Sequence, residues 1–126
     1  MDANCGIVPV VDAAARVVGV ITDRDICVAS ATRGLAPGDI RADDMQRRPV
    51  VSCRPDDHVK TALALMKKHR VRRLPVTTDE GILHGIISLD DIALSAGARG
   101  TVNAAEVLST MKAIYAPPVP AASRAA

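Results

Sequence analysis

Residues 7 to 26 read Ile-Val-Pro-Val-Val-Asp-Ala-Ala-Ala-Arg-Val-Val-Gly-Val-Ile-Thr-Asp-Arg-Asp-Ile, and residues 73 to 92 read Arg-Leu-Pro-Val-Thr-Thr-Asp-Glu-Gly-Ile-Leu-His-Gly-Ile-Ile-Ser-Leu-Asp-Asp-Ile. Laid on one another without a gap, at an offset of 66 residues, they share six identities in twenty: Pro9 with Pro75, Val10 with Val76, Gly19 with Gly85, Ile21 with Ile87, Asp25 with Asp91 and Ile26 with Ile92. Unrelated segments of average composition would share about one. Val8 with Leu74, Val17 with Leu83, Val20 with Ile86 and Thr22 with Ser88 are conservative pairs. An internal repeat therefore organises the chain.

Each copy has the same physical grammar. Ile7 to Val11, Val17 to Thr22, Leu74 to Thr77 and Leu83 to Ser88 are short, apolar, β-branched runs of the kind found in buried strands. Asp12 to Arg16 and Thr78 to Ile82 supply turn-forming residues between them, so two hairpins are expected. Upstream of the second hairpin, Val50 to Cys53 reads as a strand, and Pro55, Asp56 and Asp57 read as a helix start. Val59, Ala62, Leu63 and Met66 then fall on one helical face. Lys67, Lys68, His69 and Arg70 close that helix, where positive charge suits the dipole.

The complete unit is strand, helix, strand, strand, helix, and the fold class is α+β. Subtracting 66 leaves the first copy without a counterpart of Met45 to Met66, that is, without its initial strand and most of its first helix. The expected organisation is a first repeat at 1–33, a linker at 34–44, a second repeat at 45–97, a C-terminal helix at 98–116 and a disordered tail at 117–126. Val107, Leu108, Met111 and Ile114 form the apolar stripe of that last helix, which is expected to pack near the vacant place in the first copy.

The 126 residues suffice for a core without disulfides or a structural metal. Hydrophobic residues make up 48% and charged residues 24%, which excludes wholesale disorder. Tyr115 is the only aromatic, so aliphatic side chains and Met must fill the core. The lack of rings, together with a net charge of +2, weighs against nucleic-acid binding, although Lys67, Lys68, Arg70, Arg72 and Arg73 form one short basic cluster. Cys5, Cys27 and Cys53 are scattered and lack partners at ligand spacing, so free, mostly buried thiols and no metal site are expected. His58, His69 and His84 are expected to be surface or capping residues. No apolar run reaches the roughly 18 residues that span a bilayer, and no signal-peptide pattern opens the chain, so a cytoplasmic protein is expected.

After the second strand of each hairpin comes a hydroxyl and, three residues later, a carboxylate: Thr22 with Asp25, and Ser88 with Asp91. This spacing is the capping-box pattern, with Asp in place of Glu. It also suits ligand binding, because a helix N-terminus attracts phosphate while a carboxylate beside it can accept hydrogen bonds from ribose hydroxyls. One geometry can serve both. No nucleophile with an adjacent base, carboxylate pair or metal cluster is evident from the spacing, so no catalytic activity is expected.

In order and duplication, Gly-Ile-Val-Pro-Val-Val-Asp at 6–12, Val-Gly-Val-Ile-Thr-Asp-Arg-Asp-Ile at 18–26, Asp-Asp-Met at 43–45, Val-Arg-Arg-Leu-Pro-Val at 71–76 and His-Gly-Ile-Ile-Ser-Leu-Asp-Asp-Ile at 84–92 resemble the CBS domain family, whose repeats come in pairs called Bateman modules. The resemblance covers roughly residues 1–97. It implies a regulatory module that binds an adenine nucleotide (AMP, ADP or ATP) or a related adenosyl ligand such as NAD or S-adenosylmethionine. It assigns Asp25 and Asp91 to ribose, Thr22 and Ser88 to ribose or phosphate, and Val71, Arg72 and Arg73 to adenine or phosphate. Arg24 reads equally as a phosphate contact or a solvated side chain. One cleft would combine Asp25 with Gln46, Val51, Val71, Arg72 and Arg73; the other would combine Asp91 with Cys5, Gly6 and Ile7 and with residues the sequence does not contain.

Gln46 departs from the family's usual hydroxyl, and Gly6 and Ile7 replace the arginine pair of the second copy, so the Asp25 cleft is expected to be the competent one. The resemblance also implies a homodimer. The rival expectations are a structural dimerisation module with empty clefts and, with less support, nucleic-acid binding. No effector partner can be named.

Overall fold

The computed structural model describes residues 6–45, 49–97 and 102–117. The elements in chain order are β1 (Ile7–Val11), β2 (Val17–Thr22), α1 (Asp23–Arg33), α2 (Val59–His69), β3 (Arg73–Thr77), β4 (Leu83–Ser88), α3 (Leu89–Ser95) and α4 (Ala104–Tyr115). Two single-turn 3-10 segments, Pro37–Asp39 and Ala42–Asp44, lie between α1 and α2. The fold is α+β, as expected, with two antiparallel hairpins forming separate two-stranded sheets, β1 with β2 and β3 with β4. There are two compact units: one takes its described residues from 1–56 and 75–86, the other from 57–74 and 87–126.

The first unit contains both hairpin turns, and they match bond for bond at the 66-residue offset. In the first turn Asp12 N–H donates to the Arg16 carbonyl (2.9 Å) and Ala15 N–H to the Asp12 carbonyl (3.0 Å). In the second, Thr78 N–H donates to the Ile82 carbonyl (2.9 Å) and Gly81 N–H to the Thr78 carbonyl (2.9 Å). Ala15 and Gly81 both adopt positive φ, 63° and 84°. Glycine does so freely, whereas alanine is strained by roughly 1–2 kcal/mol. The Asp12 carboxylate offsets this by accepting from the N–H groups of Ala14 (2.9 Å) and Arg16 (3.0 Å) and from Arg16 Nε (3.1 Å).

The two turns also pair with each other. Val17 N–H donates to the Gly81 carbonyl (2.9 Å) and Leu83 N–H donates to the Ala15 carbonyl (3.1 Å), around an antiparallel bridge between Arg16 and Ile82. Each bond is the image of the other under the repeat, so a local two-fold axis passes between Arg16 and Ile82.

The strand expected over Val50 to Cys53 is reduced to a single parallel bridge, Cys53 with Val76. Cys53 N–H donates to the Pro75 carbonyl (3.1 Å), and Thr77 N–H donates to the Cys53 carbonyl (2.8 Å). Proline stops the ladder on both sides. The next bond in one direction would need an N–H on Pro55, and in the other an N–H on Pro75.

In the second unit α2 buries Ala62, Leu63 and Met66, the face expected from its periodicity. His58 caps it, its Nδ1 accepting from Lys60 N–H at 3.1 Å. Helix α4 packs on α2 and α3, both of the second repeat. Its inner face is rotated from expectation: Val107 and Thr110 are buried, whereas Leu108 and Met111 are exposed. Thr110 can be buried because its hydroxyl donates to the Glu106 carbonyl of its own helix (3.0 Å). Of the cysteines within the described residues, Cys53 is buried, while Cys27 is exposed, against the expectation of burial.

The repeats differ in how well they are covered. Leu74 is 1% exposed, while its counterpart Val8 is 55% exposed. Truncation of Leu74 to alanine is therefore expected to destabilise the chain by about 2–5 kcal/mol, and Val8→Ala by under about 1 kcal/mol, as read from urea unfolding. Hydrogen bonding from the Arg16 backbone, with further help from Ala14 and the Arg16 guanidinium, holds the Asp12 carboxyl below its usual range. The group's contribution is then complete above the unfolded value of about 4 and lost as pH falls through the lower folded value. Asp12→Ala should lower the melting temperature at pH 7, and the difference from wild type should close in scans below about pH 4.

Candidate functional site

Helices α1 and α3 begin in the same way. Thr22 Oγ1 accepts from Asp25 N–H (3.1 Å) while the Asp25 carboxylate accepts from Thr22 N–H (2.8 Å). Ser88 Oγ accepts from Asp91 N–H (3.0 Å) and Asp91 from Ser88 N–H (3.2 Å). Both are complete capping boxes. Asp23 N–H, the first of α1, donates to the Gly6 carbonyl (3.4 Å), and Leu89 N–H, the first of α3, donates to the Arg72 carbonyl (2.8 Å). In each repeat the helix start is thus tied to the residue just before the first hairpin strand. That is where the sequence placed Gly6 with Ile7, and Arg72 with Arg73.

Within the first unit an open recess of about 590 Å³ is lined by Arg24, Asp25, Val28, Ala29, Thr32, Arg33, Asp44 and Met45. Its size falls within the roughly 300–1,000 Å³ of small-molecule sites. Asp25, Val28, Ala29, Thr32 and Arg33 recur at helical spacing, so one face of α1 forms its floor. The second 3-10 turn supplies the opposite wall. Arg33 Nη1 lies 3.7 Å from the Asp44 carboxylate and its Nη2 donates to the Asp44 carbonyl (3.1 Å). Asp43 is gripped fork-to-fork by Arg41 (3.1 and 3.2 Å), whose hydrogen bonds hold its carboxyl below the usual range. The recess thus has a cation at each end of the α1 face, Arg24 and Arg33, and the capping carboxylate of Asp25 beside the helix N-terminus.

Of the residues expected around Asp25, Arg24 lines this recess and Thr22 caps its helix. Val51 is in the same unit but not among the lining residues, and Gln46, like Cys5, lies outside the described residues. Val71, Arg72 and Arg73 belong to the second unit, together with Ser88 and Asp91. Sequence reasoning missed Val28, Ala29, Thr32 and Arg33, although the i, i+3, i+4, i+7, i+8 series counted from Asp25 was available to find them. Among the described residues no group of three or more His, Cys, Asp or Glu could hold a metal ion, and no helix is long and apolar enough to cross a membrane.

A duplicated hairpin followed by a hydroxyl-and-carboxylate helix start defines the class of protein. The chain belongs to the CBS domain family, whose model matches residues 1–32 and 40–96. Among its relatives, the uncharacterized protein YlbB of Bacillus subtilis is 40% identical over 98 residues, covering 75% of this chain and 63% of that protein. Matches to the first three curated relatives span 38%, 63% and 16% of their lengths.

Two solved structures show the same fold. One is the CBS domain pair of protein MJ0100 in complex with 5'-methylthioadenosine and S-adenosyl-L-methionine (27% identity, TM-score 0.62, covering 72% of this chain and 69% of that one). The other is the CBS domain protein PAE2072 from Pyrobaculum aerophilum complexed with AMP (26% identity, TM-score 0.63, covering 85% and 75%).

The caps can be separated from ligand binding. Thr22→Ala removes a cap while leaving the Asp25 carboxylate, and should cost about 1 kcal/mol in urea unfolding. Ser88→Ala should cost a similar amount.

Proposed function

We propose that this chain is a regulatory module that binds an adenine nucleotide (AMP, ADP or ATP) or a related adenosyl ligand such as NAD or S-adenosylmethionine, and that it catalyses no reaction itself. The observation that carries this reading is the Thr22–Asp25 helix start at the rim of the α1 recess, with Arg24 and Arg33 beside it. A carboxylate already oriented by its own capping bond can accept from vicinal ribose hydroxyls without reorganising, and the helix N-terminus with Arg24 favours phosphate. The adenosyl ligands named for MJ0100 and PAE2072 support the ligand class.

On this reading residues 1–33 and 45–97 form the two repeats, and 98–116 carries the C-terminal helix. The module works in the cytoplasm as a homodimer. Asp25, Thr22 and Arg24, with Gln46, Val51, Val71, Arg72 and Arg73, make the competent site; Asp91 and Ser88 with Gly6 and Ile7 make a weaker one. Regulation requires the ligand to bind one arrangement of the module more tightly than another.

Calorimetric titration of the intact chain with AMP, ADP, ATP, NAD and S-adenosylmethionine tests the proposal. At least one should bind, and Asp25→Ala should weaken it by about tenfold or more through loss of charged hydrogen bonds, while Asp91→Ala changes it by less than about threefold. If none binds, the sensor reading fails. The apolar surface exposed at Val8, Val11, Val18 and Val28 would then favour a structural association module.

A further inference from the structure

Tyr115, the single aromatic of the chain, stands on the last turn of α4, outside the residues that match the family model. Its hydroxyl accepts a hydrogen bond from Arg72 Nη1 (3.2 Å), and the guanidinium carbon of Arg72 lies 6.0 Å from the centre of its ring. Arg70, two residues earlier, donates through Nη2 to the carbonyls of Ile114 (3.3 Å) and Ala116, which fixes the end of α4 against the segment that leads into β3. Lys67 adds a bond to Ser109 (3.0 Å) one and a half turns back along α4. Arg72 is thereby held at both ends, its carbonyl by the first N–H of α3 and its guanidinium by Tyr115.

The chemistry of this pair is specific. A phenol oxygen that accepts from a guanidinium keeps its own proton for donation, and Arg72 retains further N–H donors. Tyr115 as a whole is 57% exposed. Two adjacent donors, one charged and one neutral, match two oxygens of a phosphoryl group, and charge-assisted bonds of this kind are the stronger class. An uncharged substituent, such as a thioether or a free 5'-hydroxyl, offers no negative charge to such a pair.

We infer that Tyr115 is a ligand-binding and specificity-determining residue, which with Arg72 forms a phosphoryl-recognising pair and makes this chain select phosphorylated adenosine compounds over uncharged ones. This rests on the reading of the Val71–Arg73 segment as part of the nucleotide site. It adds a contact supplied by α4, outside the repeats.

The test is calorimetry of the intact chain with AMP and with adenosine, in wild type, Tyr115→Phe and Arg72→Ala, with melting temperatures measured in parallel. The wild type should prefer AMP by about tenfold or more. Tyr115→Phe, which keeps the ring, should lose about three- to tenfold of affinity for AMP and none for adenosine. Arg72→Ala should narrow the preference further than Tyr115→Phe does, since it removes the charged member of the pair. If Tyr115→Phe binds both ligands as the wild type does, Tyr115 only anchors α4 and the inference is overturned while the nucleotide-binding reading stands. If both affinities fall together, its role is structural and the inference is again overturned. If neither AMP nor adenosine binds the wild type, and the wider panel of adenosyl ligands is also silent, both readings fall.

Discussion

The pairing of the two hairpin turns is the constraint to which the rest of the fold is referred. Two backbone bonds, Val17 to Ala15's counterpart Gly81 and Leu83 to Ala15 itself, flank the bridge between Arg16 and Ile82 and tie the two turns into one small antiparallel ladder. Each half of the ladder needs a residue with positive φ at the turn, and the chain supplies glycine in one copy and alanine in the other. The alanine is acceptable because the Asp12 carboxylate ties down the N–H groups on either side of it. The repeat is therefore a statement about hydrogen-bond geometry as well as about letters.

The same comparison shows where the copies part. Beside β3, Cys53 occupies the outer edge of the strand and Leu74 is buried; β1 has its counterpart of Leu74, Val8, open to solvent. Helix α3 buries Leu89 and Ile92, whereas α1 buries none of its residues. Burial of a leucine-sized side chain is worth roughly 1.5–3 kcal/mol, so the second copy holds most of the hydrophobic stabilisation and the first relies more on its turn and cap bonds. The exposed face of α1 is also the floor of the recess, so the surface that contributes least to the core is the surface that offers itself to a ligand.

Much of this was legible in the sequence. Self-alignment located both hairpins, and β1, β2 and β4 run between the residues it implied, because alternating strands and turn residues are local signals. Both capping boxes followed from a spacing of three. The readings that changed depended on partners distant in sequence or on a polar group hidden in its own helix. Val50 to Cys53 has strand propensity, yet Pro75, twenty-two residues beyond Cys53, withholds the N–H its ladder would need. The α4 stripe turned by one position because Thr110 satisfies its hydroxyl internally, which hydrophobicity alone does not reveal. The recess drew on Arg33 and Asp44, whose pairing joins a helix end to a 3-10 turn across a stretch with no periodic pattern.

The scarcity of aromatic residues has an optical consequence. With no tryptophan and one tyrosine, the chain's side-chain absorption near 275 nm and its ultraviolet emission arise almost wholly from a single phenol, and that phenol rests against Arg72 at the end of α4. The native protein is in effect labelled at one address, so its spectrum speaks for that junction and for nowhere else.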